Sequence, residues 1–185
     1  MAVPVSIMAD MIDNARRTLV VGLGKTGLSV ARYLSRHKVP VAVVDSRAKP
    51  PGLEDLRNEL PVDVALFLGG FEEPAFERAE RIVVSPGVSI QEPSIAAAVA
   101  RGVPVIGDIE LFAQVARAPV VAITGSNGKS TVTTLLSAMA QRAGKMVRTG
   151  GNIGVPALDL ITDCEPDLYV LELSSFQLET THSLR

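Results

Sequence analysis

The sequence predicts an α/β protein built on parallel sheets and arranged as two successive units. Three observations carry that prediction. Short apolar runs alternate with amphipathic segments along the 185 residues. Several runs, Leu19-Val20-Val21 and Val41-Ala42-Val43-Val44 among them, are apolar at every position. That suits strands covered on both faces, hence parallel pairing through crossover helices. Two glycine-rich turns, Gly22 to Gly27 and Gly125 to Gly128, each follow such a run and precede a helix-compatible segment.

Taken in order, strands are expected over Thr18–Gly22, Val41–Asp45, Val64–Leu68, Arg81–Ser85 and Pro104–Ile106. Helices are expected over Thr26–His37, Leu53–Glu59, Pro74–Arg78 and Pro93–Arg101. Asp108–Arg117 reads as a connecting helix, and a new strand–loop–helix begins at Val120, its helix running from Val132 to Ala143. Lys145–Arg148 and Leu168–Leu173 read as further strands. The expected division is residues 1–110 and 111–185. No solenoid-period repeat or low-complexity tract is present.

Composition narrows the function classes. The 47% hydrophobic content supports a substantial core, and the formal net charge of -2 comes with interspersed signs. No basic block or aromatic–basic stripe points to nucleic acid, and with 4% aromatics and no Trp a base-stacking surface is not expected. Cys164 is the single cysteine. It permits no internal disulfide, fits a reducing compartment, and reads as a buried or partly buried small side chain rather than a catalytic thiol. Residues Met1 to Arg17 carry Asp10 and Asp13 and lack a long apolar stretch, so no signal peptide is expected. No apolar run approaches the ~18 residues of a membrane span. The expectation is a cytoplasmic protein without membrane or nucleic-acid partners.

The first glycine turn is Gly22-Leu23-Gly24-Lys25-Thr26-Gly27. Gly22 permits a tight turn, Gly24 lets backbone approach a diphosphate, and Gly27 lets helix and strand pack closely. Asp45 ends the next strand, where an acid can hold a ribose, and Ser46 and Arg47 follow it. The pattern fits NAD or another diphosphate ligand; glycines serving packing alone, and an exposed turn at Asp45-Ser46-Arg47, are the plain alternatives. Ser85-Pro86-Gly87 follows a later strand. It is either a ligand-approach point at the carboxyl end of the sheet or a simple Pro-Gly turn.

The second turn is the more informative. Val120-Val121-Ala122-Ile123-Thr124-Gly125-Ser126-Asn127-Gly128-Lys129-Ser130-Thr131 is an apolar run, a glycine turn, a lysine and two hydroxyls. Backbone N–H groups at such a turn and at the following helix start face an anion, aided by the helix dipole. Lys129 can reach terminal phosphates, and the Ser130 hydroxyl can ligate magnesium. Ile123 stands where the longer Walker pattern has its first glycine, so this is the shorter Gly-x-x-Gly-Lys-Ser form. An ordinary strand–turn–helix with a surface lysine is the alternative. Downstream, Gly150-Gly151-Asn152-Ile153-Gly154 is a glycine-rich turn in which Asn152 can donate to an anion. Glu172 interrupts the apolar run from Leu168 to Leu173. Burying that charge demands a partner or a metal, unless it sits at an edge in water.

Together, these segments resemble the Mur ligase family, in the family's order and spacing and over nearly the whole chain. The carriers are Gly22-Leu23-Gly24-Lys25-Thr26-Gly27-Leu28-Ser29, Ser85-Pro86-Gly87-Val88, Thr124 to Thr131, Gly151-Asn152-Ile153-Gly154 and Leu171-Glu172-Leu173-Ser174-Ser175-Phe176-Gln177-Leu178. The resemblance is strongest to the member that adds D-glutamate to UDP-N-acetylmuramoyl-L-alanine in peptidoglycan synthesis. It implies a Rossmann-like domain binding the UDP-linked substrate, followed by part of a P-loop-type ATPase domain. The reaction it implies is ATP-driven amide synthesis through an acyl phosphate. Gly125 to Thr131 would bind ATP, Lys129 would neutralise β/γ-phosphate charge, and Ser130 and Glu172 would hold Mg²⁺. Gly24, Lys25, Thr26, Gly27, Asp45, Ser46, Arg47, Ser85, Pro86, Gly87 and Asn152 would serve the UDP-sugar. The full-length enzyme would be a monomer. The family is three-domain and more than twice as long, His182 is not the family's histidine, and His37 reads as a surface residue. A chain ending at Arg185 is expected to be inactive in ligation and to expose an apolar sheet edge. An NAD-dependent oxidoreductase and a non-catalytic nucleotide-binding module are the competing readings.

Overall fold

The computed structural model describes residues 17–60 and 64–184, so the reading of the first sixteen residues lies outside it. The chain forms two compact units divided between Val105 and Ile106.

Strands and helices alternate through the first sheet: β1 (Arg17–Val21), α1 (Lys25–Arg36), β2 (Val41–Asp45), α2 (Leu53–Glu59), β3 (Ala65–Leu68), α3 (Glu73–Glu77), β4 (Ala79–Val84), α4 (Pro93–Ala100) and β5 (Val105–Gly107), the last strand carrying the division. The strand order is β3-β2-β1-β4-β5. β1 pairs in parallel with both β2 and β4, and β2 with β3. This is the Rossmann-like parallel sheet the apolar runs predict. Successive side chains leave opposite faces of a strand. Leu19, Val21, Ala42, Val44, Ile82 and Val84 pack against Phe76 of α3 and Ile95 and Ala98 of α4. Val20, Val43 and Val83, facing the other way, are equally buried. Helix α1 is stopped by Lys38, which takes a φ of 57°. The Val39 N–H then donates back to the Leu34 carbonyl at 3.0 Å, closing the last turn.

The second unit contains α5 (Asp108–Ala113), β6 (Val120–Ile123), α6 (Lys129–Arg142), β7 (Val147–Gly151), a 3₁₀ turn (Ala157–Leu160), β8 (Leu168–Glu172) and α7 (Ser175–Glu179). Its three-stranded sheet runs β6-β8-β7, all parallel. The connecting helix is shorter than the expected Asp108–Arg117. Past Phe112 the chain turns out, and the Arg117 and Ala118 N–H groups donate to the Glu165 carboxylate. Helix α6 begins at Lys129, three residues before its apolar periodicity, because the glycine loop delivers the chain already turned. Strand β7 runs through Gly150 and Gly151, which the sequence reads as a turn. A side chain at Gly150 would be driven into the Val155 carbonyl, and one at Gly151 into that of Glu172. Cys164 is exposed, not buried; what engages there is its carbonyl, which accepts from Arg148 at 2.7 Å. His37 is exposed, as expected.

Two predictions follow from packing and charge. A Cβ at Gly27 would be driven into the Gly22 carbonyl oxygen, where the backbone has no freedom to retreat. Gly27→Ala is expected to cost about 3 kcal/mol or more, read as a lowered urea midpoint by far-ultraviolet circular dichroism. Glu110 is buried and accepts from the His182 and Ser183 N–H groups at 2.6 and 2.9 Å and from the Ser183 hydroxyl at 2.7 Å. Burial pushes its carboxyl up, but those bonds outweigh burial and hold it at about 2. A lowered carboxylate stabilises the fold above its ordinary value and loses that contribution as pH falls. Glu110→Gln is expected to lose on the order of 2–3 kcal/mol at pH 7, the gap from the parent closing between pH ~4.5 and ~2.

Candidate nucleotide and phosphate sites

Each unit gathers its predicted residues at the carboxyl ends of its parallel strands, where ligands of open α/β sheets bind. In the first unit the strand order reverses between β1 and β4. There Gly22, at φ 91°, turns the chain out of β1, and the Ser85 hydroxyl donates to the Gly22 carbonyl at 2.8 Å. Ser85 therefore braces the turn from the neighbouring strand, and the flanking Pro86 and Gly87 form the turn that follows β4. Among the described residues nothing lies near the position a Gly24 side chain would take, so they leave its backbone approachable. Lys25 and Thr26 open the twelve-residue helix α1 beside it.

Asp45 is placed differently from a carboxylate waiting for a ribose. It is 2% exposed. Its oxygens accept from the Leu23 N–H at 2.7 Å and from Arg47, through Nε at 2.8 Å and Nη2 at 2.7 Å. Burial pushes its carboxyl up, and the hydrogen bonds from Arg47 and Leu23 bring it below its ordinary value. Asp45 thus ties the end of β2 to the glycine turn and presents Arg47, whose side chain is half-exposed. Ser46 lies exposed between them.

In the second unit the loop after β6 holds Gly125 at φ 142° and Gly128 at φ 75°, conformations that side-chain-bearing residues disfavour. Ser126 and Asn127 sit exposed between them, and Thr131 is exposed in the first turn of α6. That fourteen-residue helix starts at Lys129 with no side-chain cap, which leaves its first N–H groups free for an anion. The Lys129 ammonium folds back to the Gly125 carbonyl at 2.7 Å.

Glu172 stands at the centre of this cluster. It ends β8, the middle strand, in register with Ile123 on one side and Gly151 on the other. At 2% exposure it is not the solvated edge residue that the sequence left open. Ser130 Oγ donates to Oε2 at 2.7 Å and Asn152 Nδ2 to Oε1 at 3.0 Å. The Asn152 N–H also donates to the Glu172 carbonyl at 2.8 Å. Burial pushes the carboxyl up; the Asn152 and Ser130 bonds and the Lys129 charge outweigh it, leaving it below its ordinary value. So the structure brings Lys129, Ser130, Asn152 and Glu172 together. Among the described residues no group of three His, Cys, Asp or Glu is placed to hold a metal. One carboxylate and one hydroxyl 2.7 Å apart are hard oxygen donors. They fit magnesium, which keeps waters and shares phosphate oxygens rather than filling an all-protein cage.

Sequence reasoning passed over one pair. Gln177 Nε2 donates to the buried Asp108 carboxylate at 3.0 Å. Gln177 also closes a capping box with Ser174. The Ser-x-x-Gln spacing was a legible signal for the box; the partner sixty-nine residues away was not.

Asn152→Ala would leave Glu172 Oε1 buried without that donor. The expected cost at pH 7 is ~1–3 kcal/mol. Because the Glu172 carboxyl lies below its ordinary value, that cost should shrink as pH falls through the carboxylate range; urea titrations at pH 7 and pH 4 measure it.

Both parts of the chain match known families. Residues 16–107 match the model of the Mur ligase MurD-like N-terminal domain, and residues 123–185 that of the Mur ligase middle domain. UDP-N-acetylmuramoylalanine–D-glutamate ligase of Nitrosococcus oceani is 59% identical over 170 residues, covering 92% of this chain and 37% of that protein. The enzyme of the same name from Marinobacter nauticus is 60% identical over 175 residues, covering 95% and 39%. The chain therefore spans under two-fifths of the length of these curated relatives. Among solved structures, a UDP-N-acetylmuramate:L-alanyl-gamma-D-glutamyl-meso-diaminopimelate ligase from Neisseria meningitides superposes with a TM-score of 0.55 at 17% identity, over 85% of this chain and 52% of that one. A murein peptide ligase from Psychrobacter arcticus gives 0.53 at 16%, over 86% and 38%. At such identities the likeness concerns the fold alone. The two domain matches follow one another along the sequence and leave unmatched only the first residues and a short link: the chain belongs to the Mur ligase family.

Proposed function

We propose that this chain carries the substrate-nucleotide and ATP-phosphate sites of an ATP-dependent ligase that joins D-glutamate to UDP-N-acetylmuramoyl-L-alanine in cytoplasmic peptidoglycan synthesis. The observation that supports it best is the buried Glu172 carboxylate within 2.7 Å of the Ser130 hydroxyl, at the mouth of the glycine loop. The substrates come from the names of the relatives.

In this reading residues 1–110 hold the UDP-linked substrate. Gly24, Lys25, Thr26 and Gly27 take the diphosphate on backbone N–H groups and the start of α1. Asp45 orients Arg47 toward the nucleoside, with Ser46 beside it, while Ser85, Pro86 and Gly87 line the crevice between β1 and β4. Residues 111–185 hold the ATP phosphates. The N–H groups from Gly125 to Thr131 surround them, and Lys129 leaves the Gly125 carbonyl to meet β/γ-phosphate charge. Ser130 and Glu172 are the residues that would hold Mg²⁺, which when bound neutralises phosphate charge. Asn152 keeps Glu172 ionised and faces the substrate. The substrate carboxylate takes the γ-phosphoryl group, the amine of D-glutamate displaces phosphate from the acyl phosphate, and an amide forms. Positioning and charge neutralisation are what such a transfer asks of a protein. A nicotinamide reading of the first turn has no second observation behind it.

Isothermal titration of the 185-residue chain with a non-hydrolysable ATP analogue and Mg²⁺ tests the second site. Lys129→Ala and Glu172→Gln are each expected to weaken binding by about tenfold or more. Equal affinity in parent and variants would overturn the assignment. Titration with UDP-N-acetylmuramoyl-L-alanine tests the first site, where Arg47→Ala should reduce affinity and NAD should not compete.

A further inference from the structure

We propose that Asp108 is a positioning residue for the phosphate site, acting through the side-chain amide of Gln177 on the strand end that bears Glu172. The inference rests on the reading of Glu172 and Ser130 as the Mg²⁺–nucleotide site. Asp108 opens α5 and is 3% exposed; Gln177, in α7, is 2% exposed. Gln177 Nε2 donates to Asp108 Oδ2 at 3.0 Å. At its other end, Gln177 Oε1 accepts from the Ser174 N–H at 3.1 Å, and the Gln177 N–H donates to Ser174 Oγ at 3.2 Å. Ser174 lies two residues beyond Glu172. Between them the Leu173 N–H donates to the Ile123 carbonyl at 2.9 Å, the last residue before the glycine loop.

An amide side chain has a donor end and an acceptor end. An ionised Asp108 accepts only, so it holds the NH₂ of Gln177 toward itself and the carbonyl toward Ser174. Turned around, Gln177 would set NH₂ against the Ser174 N–H, donor against donor, and the box that ends β8 would open. The carboxylate is a poor stabiliser in its own right. Its Oδ1 is buried without a partner, and burial pushes the group up to about 6. A buried acid so placed contributes less to stability than to the orientation it enforces.

Neighbouring bonds act on the same segment. The Gly107 N–H donates to the Thr180 carbonyl at 3.3 Å, and Glu110 accepts from Ser183. The first residues of α5 thereby clasp the chain that follows Glu172, and Asp108 is the contact that reaches toward the site. Outer partners of metal-holding groups commonly matter by 10–100-fold in affinity.

Two readouts on the 185-residue chain test this. The first is binding of the ATP analogue with and without Mg²⁺. The second is amide hydrogen exchange at Ser174 and Asn152, which needs no ligand. Asp108→Ala is expected to weaken Mg²⁺-dependent binding by about tenfold while leaving Mg²⁺-free binding unchanged, and to speed exchange at both amides. Asp108→Asn offers a donor as well as an acceptor, so it no longer selects one orientation of Gln177 and should show part of the Asp108→Ala effect; parent-like behaviour would overturn the proposal. Gln177→Met removes the same bond from the other side, so the double variant should be no worse than Gln177→Met alone; that variant also serves if Asp108→Ala does not fold. Unchanged exchange at Asn152, additive losses in the double variant, or equal losses with and without Mg²⁺ would each overturn the proposal. Should the parent bind no nucleotide, the site reading fails by itself, and the exchange at Asn152 still decides whether Asp108 positions the strand end.

Discussion

A single charge in the middle of a sheet organises the second unit. Glu172 lies on the central strand, so both strand edges beside it are already paired, and the residue is only 2% exposed. A buried carboxylate is costly unless every oxygen is met. Each of its oxygens is met, one by Ser130 from the first turn of α6, one by Asn152 from the end of β7. That need draws three strand ends and one helix start to the same place. The glycines follow from it: Gly151 must lack a side chain because the Glu172 backbone passes against it. What results is a pre-ordered set of oxygen donors beside a glycine loop that opens α6 without a side-chain cap.

The first unit also relies on a buried acid. Its turn is braced by a hydroxyl from the next strand over, Ser85 against Gly22, and by a buried acid from the other side, Asp45 against the Leu23 N–H. A tight approach of α1 to β1 makes Gly27 obligatory. The consequence is a turn held from both flanking strands, with Gly24 left open at its tip. In both units a buried acid fixes a polar neighbour: Asp45 holds Arg47, and Glu172 holds Ser130.

Two acids on α5, Asp108 and Glu110, shift in opposite directions. Glu110 receives backbone and hydroxyl donors from the segment after Thr181 and is held low, near 2. Asp108 receives one side-chain donor, keeps one oxygen orphaned, and is pushed up to about 6. Desolvation raises both, but it is lighter at Glu110, where the hydrogen bonds prevail, and far heavier at Asp108, where it outweighs them. The first therefore serves mainly to fasten the chain, and the second costs stability for the sake of an amide's orientation.

Much of this was legible from residue order alone. The continuous apolar runs named β1, β2, β4 and β8, because a strand buried on both faces has no polar side to display. The glycine turns named both strand-to-helix junctions, because only particular backbone conformations let a strand feed a helix so tightly. Glu172 stood out as a charge where the strand pattern allowed none. What sequence order could not decide was contact between distant residues. Whether Glu172 faced water or the interior depended on β8 being the middle strand, which no local pattern states. Asp45 could be read as a ligand for ribose until Arg47 and Leu23 were seen to occupy it. The extension of β7 through Gly150 and Gly151 overrode turn chemistry, because neighbouring carbonyls leave no room there for a Cβ. The Asp108–Gln177 bond joins residues that chain entropy keeps apart until the core has closed. Local propensity and periodicity are written in the chain; the partner of a buried polar group is chosen only when the sheet is assembled.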